Sequence, residues 1–167
     1  REVQLPDTLT TLGRNSFANC TSLSSINYPK NLSSAGESIF AGDSRLKSIT
    51  VPEGVEKLPD NMFKNCGNFS KISLPATLKV IGNSAFEGIN LERMVLPDSV
   101  TTMGAYAFCN CSLLEQIWIG KNVIEIHDRS FNGCKTEKLV IHGVAGSYAQ
   151  EWSTAKGFKF DTEVMGQ

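Results

Sequence analysis

Apolar residues recur along the chain at a fixed interval, and two residue types keep that interval independently. Pro6, Pro29, Pro52, Pro75 and Pro97 form one column, with Gly120 in the sixth place. Phe17, Phe40, Phe63, Phe86, Phe108 and Phe131 form the other. Both columns step by 23, 23, 23, 22 and 23 residues, so the same period and the same one-residue deletion appear twice, which identifies an internal repeat. The end of each unit alternates with period two, as in Leu23-x-x-Ile26-x-Tyr28 and Phe69-x-x-Ile72-x-Leu74. That alternation predicts a short strand with one buried face. The proline that follows stops the strand, because it has no N–H to offer a continuing ladder. The next apolar pairs, Leu9-x-x-Leu12, Val55-x-x-Leu58, Leu78-x-x-Ile81, Val100-x-x-Met103 and Val123-x-x-Ile126, predict a second extended edge. Glycines 13, 36, 82 and 104 then turn the chain, where a positive φ is the expected reason for glycine. Pro59 and His127 interrupt that column. Phe63 and Cys66 exemplify a three-residue spacing that puts both on one face of a helical turn. One or two turns of α or 3₁₀ helix per unit are therefore expected, with the phenylalanine inward. A unit this short cannot bury its apolar face alone, but stacked coils can. At about 4.8 Å per coil, the predicted stack is roughly 30 Å long.

The pattern fades after Ile141. Ser147 and Gln150 have the spacing of a capping box, and Tyr148, Trp152 and Ala155 fall on one helical face. Gly157 is a stop signal, and Phe158-Lys159-Phe160 alternates like a last strand. The expected organisation is a repeat solenoid over residues 1–143, a C-terminal cap over 144–160 and a tail or linker over 161–167. At the other end, Arg1 to Pro6 already reads as the end of a repeat, so the expectation is a piece of a longer protein with any export signal outside it.

The unit Leu-Pro-x-x-Leu/Val-x-x-Ile-Gly-x-x-Ala-Phe-x-x-Cys-x-x-Leu-x-x-Ile, best seen from Leu74 to Phe86 and from Leu96 to Cys111, resembles the BspA-like leucine-rich repeat, also called the Treponema pallidum type. The resemblance extends over about residues 1–143. It implies a right-handed solenoid, mainly β with short helical turns, with a parallel sheet on its concave side. It also implies a secreted or cell-surface protein of bacteria or of some protists, acting by adhesion or protein binding. Gly120 for proline, Pro59 and His127 for glycine, and Asp43 for cysteine depart from the pattern at single positions.

Charge and cysteine content refine this reading. Among 167 residues, 16 are basic and 17 acidic, for a net charge of -1, so nothing favours nucleic acid or an anionic membrane as partner. Cys20, Cys66, Cys111 and Cys134 share one repeat position with Asp43 and with Ile89 or Gly88. A position that takes cysteine or an apolar residue reads as buried packing. A disulfide between Cys111 and Cys134 is the alternative, although parallel side chains fit disulfide geometry poorly. No catalytic, cofactor or metal constellation stands out. His127 and His142 are the only histidines, neither at zinc-type spacing from the cysteines, and Gly36-Glu37-Ser38 and Gly82-Asn83-Ser84 lack the second glycine of a nucleophile elbow. The chain is read as a non-enzyme without cofactor. Four sequons, at Asn19, Asn31, Asn68 and Asn110, carry sugar only in a secreted eukaryotic setting.

The candidate site comes from the outward strand positions. One column is Glu2, Ser25, Ser48, Lys71, Arg93, Gln116 and Lys138. The next is Gln4, Asn27, Thr50, Ser73, Val95, Trp118 and Val140. The expectation is an exposed apolar strip of Val95, Trp118 and Val140, bordered by Arg93, Gln116 and Lys138, with tryptophan as a protein-binding anchor. The partner class is a host extracellular or cell-surface protein. A carbohydrate-binding or spacer module on an exported enzyme, with Trp118 stacking on sugar rings, and a purely structural stalk are the rival readings.

Overall fold

Each coil turns at its proline. The carbonyls of Pro6, Pro29, Pro52, Pro75 and Pro97 accept from Leu9, Leu32, Val55, Leu78 and Val100, and that of Gly120 from Val123, at 3.0–3.4 Å. The structure is a computed structural model that describes residues 1–162. It is a parallel β-solenoid with one short helix near its C-terminus. Before each proline corner runs a first column of strands: β1 (Glu2–Val3), β3 (Ser25–Ile26), β5 (Ser48–Thr50), β7 (Lys71–Ser73), β9 (Arg93–Val95), β11 (Gln116–Trp118) and β13 (Val140–His142). After each corner runs the second column: β2 (Thr11–Leu12), β4 (Ser34–Ala35), β6 (Lys57–Leu58), β8 (Val80–Ile81), β10 (Thr102–Met103) and β12 (Glu125–Ile126). Every pair that forms is parallel, with Ser48 beside Lys71 and Lys57 beside Val80, one repeat length apart. Pairing breaks between β3 and β5 and between β7 and β9 in the first column, and between β4 and β6 in the second. The expected two extended edges per unit are both present.

A third ladder closes the coil where helical turns were expected. Lys64 and Cys66 donate to the Asn61 and Phe63 carbonyls three residues back, both at 3.2 Å, a 3₁₀-type pattern. The alternate N–H groups of Asn61, Phe63 and Asn65 donate instead to Asn83, Ala85 and Glu87 of the next coil, at 2.8, 2.9 and 2.7 Å. Asn61 and Asn65 have φ of 57° and 60°, a left-handed conformation in which a helix cannot propagate. The helical turns are therefore single, and the segment spends half its donors on holding the stack together.

The second left-handed position has an order of its own: Asn19, Gly42, Asn65, Gly88, Asn110 and Gly133 alternate, all with positive φ. The asparagine side chains explain the glycines. A Cβ on Gly88 would lie 2.5 Å from Asn65 Oδ1, and Asn19 and Asn110 press likewise on Gly42 and Gly133. Glycines 13, 36, 82 and 104, by contrast, do not adopt positive φ, which corrects the sequence reading. Three of them are there for closeness. A Cβ on Gly82 would lie 2.5 Å from the Leu58 carbonyl oxygen, one on Gly104 2.8 Å from Asn83 Oδ1, and one on Gly36 would overlap the Arg14 backbone. Gly13 has open space around it.

Phenylalanine fills the centre. Successive rings from Phe17 to Phe131 stack at centroid separations of 6.0, 5.7, 5.7, 5.1 and 5.4 Å, with interplanar angles of 5–21°. Phe40, Phe63, Phe86 and Phe108 are among the largest fully buried side chains. The file ends against Trp152 and Phe158, which stack on one another at 5.7 Å and both touch Phe131. Trp152 belongs to α1 (Tyr148–Lys156), whose N-cap Ser147 accepts from Gln150 N–H and whose Gly157 ends it at φ 78°. The buried stripe of α1 is Ala149, Trp152 and Ser153, so Tyr148 and Ala155 point away from the core. Strand β14 (Lys159–Asp161) then pairs with β13, so Asp161, where a tail was expected to begin, still lies on the sheet. Positions 163–167 lie outside the described residues.

All five cysteines are free. The thiols of Cys66, Cys111 and Cys134 donate to the Phe40, Phe86 and Phe108 carbonyls at 3.0, 3.1 and 3.0 Å. The repeat cysteine therefore satisfies a turn carbonyl while packing as an apolar residue, and burial pushes the Cys66 thiol up to about 12.

Candidate functional site

The outward face of the first column is where the sequence placed its binding residues, and the pairing there decides which of them meet. Arg93 lies beside Gln116 and Val95 beside Trp118, as the repeat spacing requires. The next coil is longer. Cys134 and Leu139 are separated by an extra turn, in which Lys138 and Leu139 both donate to the Lys135 carbonyl at 2.9 Å. Gln116 therefore pairs with Val140 and Trp118 with His142. A uniform spacing puts both partners two residues too early. Val140 consequently leaves the Trp118 column for the Arg93–Gln116 column, and Lys138 sits in the turn before β13, off the sheet face. Because the slip is two residues, in-and-out alternation survives and Val140 still faces outward.

The corrected face has two columns. Arg93, Gln116, Val140 and Lys159 form one, and Val95, Trp118, His142 and Asp161 the other. Val95 is 60% exposed, Trp118 half-buried and His142 buried. Val140, half-buried, is now the diagonal neighbour of Trp118. The apolar patch is therefore Val95 and Trp118 side by side with Val140 offset, flanked by exposed Arg93 at one end and exposed Lys159 at the other. Neither ring nitrogen of His142 has a hydrogen-bond partner, and the Trp152 indole Nε1 in the cap has none either. The signal that would have found Lys159 and His142 is the wide gap between Cys134 and Leu139, set against the three-residue gap between Cys111 and Leu114.

The rest of the surface is built from coil-to-coil ties. Lys64–Glu87 at 2.9 Å, Lys79–Glu56 at 2.8 Å and Arg14–Glu37 at 2.7 Å each join residues one repeat apart. Among the described residues no group of three or more histidine, cysteine or acidic side chains gathers as metal ligands, and no helix is long and apolar enough to cross a membrane.

A repeat of this length, with a phenylalanine file and a turn ladder of asparagine and glycine, has relatives. The profile of the BspA type leucine rich repeat region matches residues 1–113 and 37–151, in 6 copies. The chain belongs to the BspA-type leucine-rich repeat family. Its coils align with those of solved leucine-rich repeat proteins. A leucine-rich repeat protein from Bacteroides ovatus superposes with a TM-score of 0.71 at 24% identity over 96% of this chain and 45% of that one. The T. pallidum leucine rich repeat protein superposes at 0.67 and 21% identity, over 96% of this chain and 85% of that one. A leucine rich cell surface protein from Faecalibacterium prausnitzii gives 0.59 and 24%, over 85% of this chain and 54% of that one. The BspA-type chain thus spans about half of two of these proteins and most of the third, and at such identities the likeness is one of fold. Among proteins of curated function none matches its sequence. The family consists of repeat proteins, not of known enzymes.

Proposed function

We propose that this BspA-type chain is a non-enzymatic recognition module, displayed on a cell surface or secreted, that binds a protein partner through the outward face of its first sheet. The observation that carries the proposal is the exposed Val95 beside Trp118, with Val140 diagonal to the indole. Val95 lies on β9, the edge strand of its four-stranded sheet, and its exposed side chain adjoins the half-buried indole of Trp118, so the apolar surface there is contiguous. The tryptophan supplies the large, stiff contact of an interface anchor. The basic ends at Arg93 and Lys159 favour a partner that is acidic at the rim. The Faecalibacterium relative is described as a cell surface protein, which supports display at the surface for this chain.

The test is to probe an array of extracellular and cell-surface proteins, and in parallel a glycan array, with the chain and its Trp118→Ala variant. Binding to one or more proteins is expected. The variant should lose about 30-fold in affinity, the roughly 2 kcal/mol of an interface anchor. Equal affinity of the variant removes this face from the interface. Binding to glycans alone, lost with Trp118, assigns the same face to sugar.

A further inference from the structure

The second sheet is interrupted once, between β4 and β6, and the cause is legible in the backbone. At every other step of this column three N–H groups reach the coil before. Ser33 and Ser34 donate to Thr10 and Gly36 to Leu12. Lys79 and Val80 donate to Glu56 and Gly82 to Leu58. The pattern continues through Gly104 and His127. At the missing step the third donor is Pro59, which has no N–H. Glu56 and Lys57 make no bond to Ser33 either, and β4 and β6 have no Cα pair within 8 Å. The inward residue at this point is Ala35, where Leu12, Leu58, Ile81, Met103 and Ile126 fill the other coils. Proline removes the tie and alanine removes the filling.

The opening is a slot within a continuous stack. On the turn side the same two coils stay bonded, Ser38 to Asp60 at 2.9 Å, Phe40 to Met62 at 3.1 Å and Gly42 to Lys64 at 2.7 Å, and the Phe40 and Phe63 rings stack at 5.7 Å. The result is a cleft of about 650 Å³ with Tyr28, Leu32, Ala35 and Val55 among its lining. That volume lies within the usual range of ligand sites.

The two lips match what one strand needs. Paired strands lie about 4.8 Å apart, so an inserted strand requires roughly twice that distance between its neighbours, consistent with a gap wider than 8 Å. One lip offers the free N–H groups of Glu56 and Lys57, and the other the free carbonyls of Ser33 and Ala35. At the rim, Arg14 is paired with Glu37 and Glu56 with Lys79. Asp60 keeps its charge, with both carboxylate oxygens accepting from neutral Asn83 donors, and Lys57 adds one basic group. We propose that this slot binds a short extended peptide, which completes the second sheet as a strand between β4 and β6 and sets an apolar side chain against Tyr28, Leu32 and Val55. Recognition of this kind rests on main-chain hydrogen bonds and one pocket, so it tolerates many sequences. It is independent of the Trp118 face, on the other sheet.

The probe is a phage-displayed library of random seven-residue peptides, panned on the intact chain. Selected peptides are then titrated against the wild type and against Ala35→Leu, Pro59→Gly and Trp118→Ala. Ala35→Leu fills the slot, and Pro59→Gly restores the donor found at Gly36, Gly82 and Gly104. Peptides enriched in one apolar residue are expected, losing at least about 10-fold in affinity in each slot variant and nothing in Trp118→Ala. On binding, the Glu56 and Lys57 amides should slow in hydrogen exchange by a similar factor or more. Circular dichroism checks that both slot variants keep the fold, and either one alone suffices as the test. A selection that yields no peptide, peptides indifferent to both slot variants, or protection confined to other residues overturns the proposal. Peptides lost only with Trp118→Ala do so too, while supporting the face proposed above.

Discussion

Phe86→Ala is expected to destabilise the fold by about 3–5 kcal/mol, the range for truncating a fully packed phenylalanine. Phe86 is 1% exposed and lies between Phe63 at 5.7 Å and Phe108 at 5.1 Å. Its loss removes two ring contacts and opens a cavity in the middle of the stack, where the coils cannot collapse without breaking the turn ladder. Phe17→Ala is the internal control. Phe17 is half-buried with one ring neighbour, Phe40, at 6.0 Å, so its loss should cost about half as much or less. Urea unfolding followed by circular dichroism measures both, with equal m-values showing that the extent of unfolding is unchanged. Equal costs for the two, or less than about 1 kcal/mol for Phe86, would mean that the file does not carry the core.

The second large effect concerns Asp43. It occupies the position that cysteine holds at 20, 66, 111 and 134, and its carboxyl is fully buried. Oδ1 accepts from Cys20 N–H at 2.8 Å, while Oδ2 has no partner. Burial pushes the group from 3.8 up to about 7, against the pull of the Cys20 N–H. A folded-state value above the unfolded one means that the native protein holds a proton which the unfolded chain has released. Stability contributed by this group is therefore complete below about pH 4, falls as pH rises toward 7, and stays lost above that. Asp43→Asn keeps the acceptor and removes the charge. At pH 8 it should stabilise the fold by about 2–4 kcal/mol, the scale of a three-unit shift softened by local relaxation. At pH 4 the two proteins should unfold alike. Urea midpoints of both across pH 4–8 give the answer, and a difference that does not change with pH would show that the carboxyl is solvated and ordinary.

Much of this fold was legible because a solenoid repeats its constraints. The corner proline appears five times and the phenylalanine six, with alternating strand ends between them, so chance at one position cannot hide them. The same averaging hid what is particular to single coils. The glycines at 36, 82 and 104 look like turn glycines, yet they answer to the backbone of the preceding coil, which only the stacking distance reveals. The helical turns were expected from the spacing of phenylalanine and cysteine, and the left-handed asparagines between them limit each to one turn. Arg93, Val95, Gln116 and Trp118 lie side by side on the first column of strands, in the register the spacing implies. The last coil of that expected face was misplaced by two residues, because the turn at Lys135 to Lys138 lengthens that unit alone. The slot beside Pro59 was visible only as a broken column of glycines. That it leaves donors and acceptors facing each other across a gap depends on geometry no single sequence states.

The most direct measurement is the nuclear Overhauser pattern among phenylalanine rings, in a sample labelled at phenylalanine alone. The account predicts cross-peaks linking 17 to 40, 40 to 63, 63 to 86, 86 to 108 and 108 to 131, with side contacts from 69 to 63 and from 158 to 131. Rings two coils apart should show none. Cross-peaks that skip coils, or an absence of peaks between successive rings, would contradict a stack of coils in register.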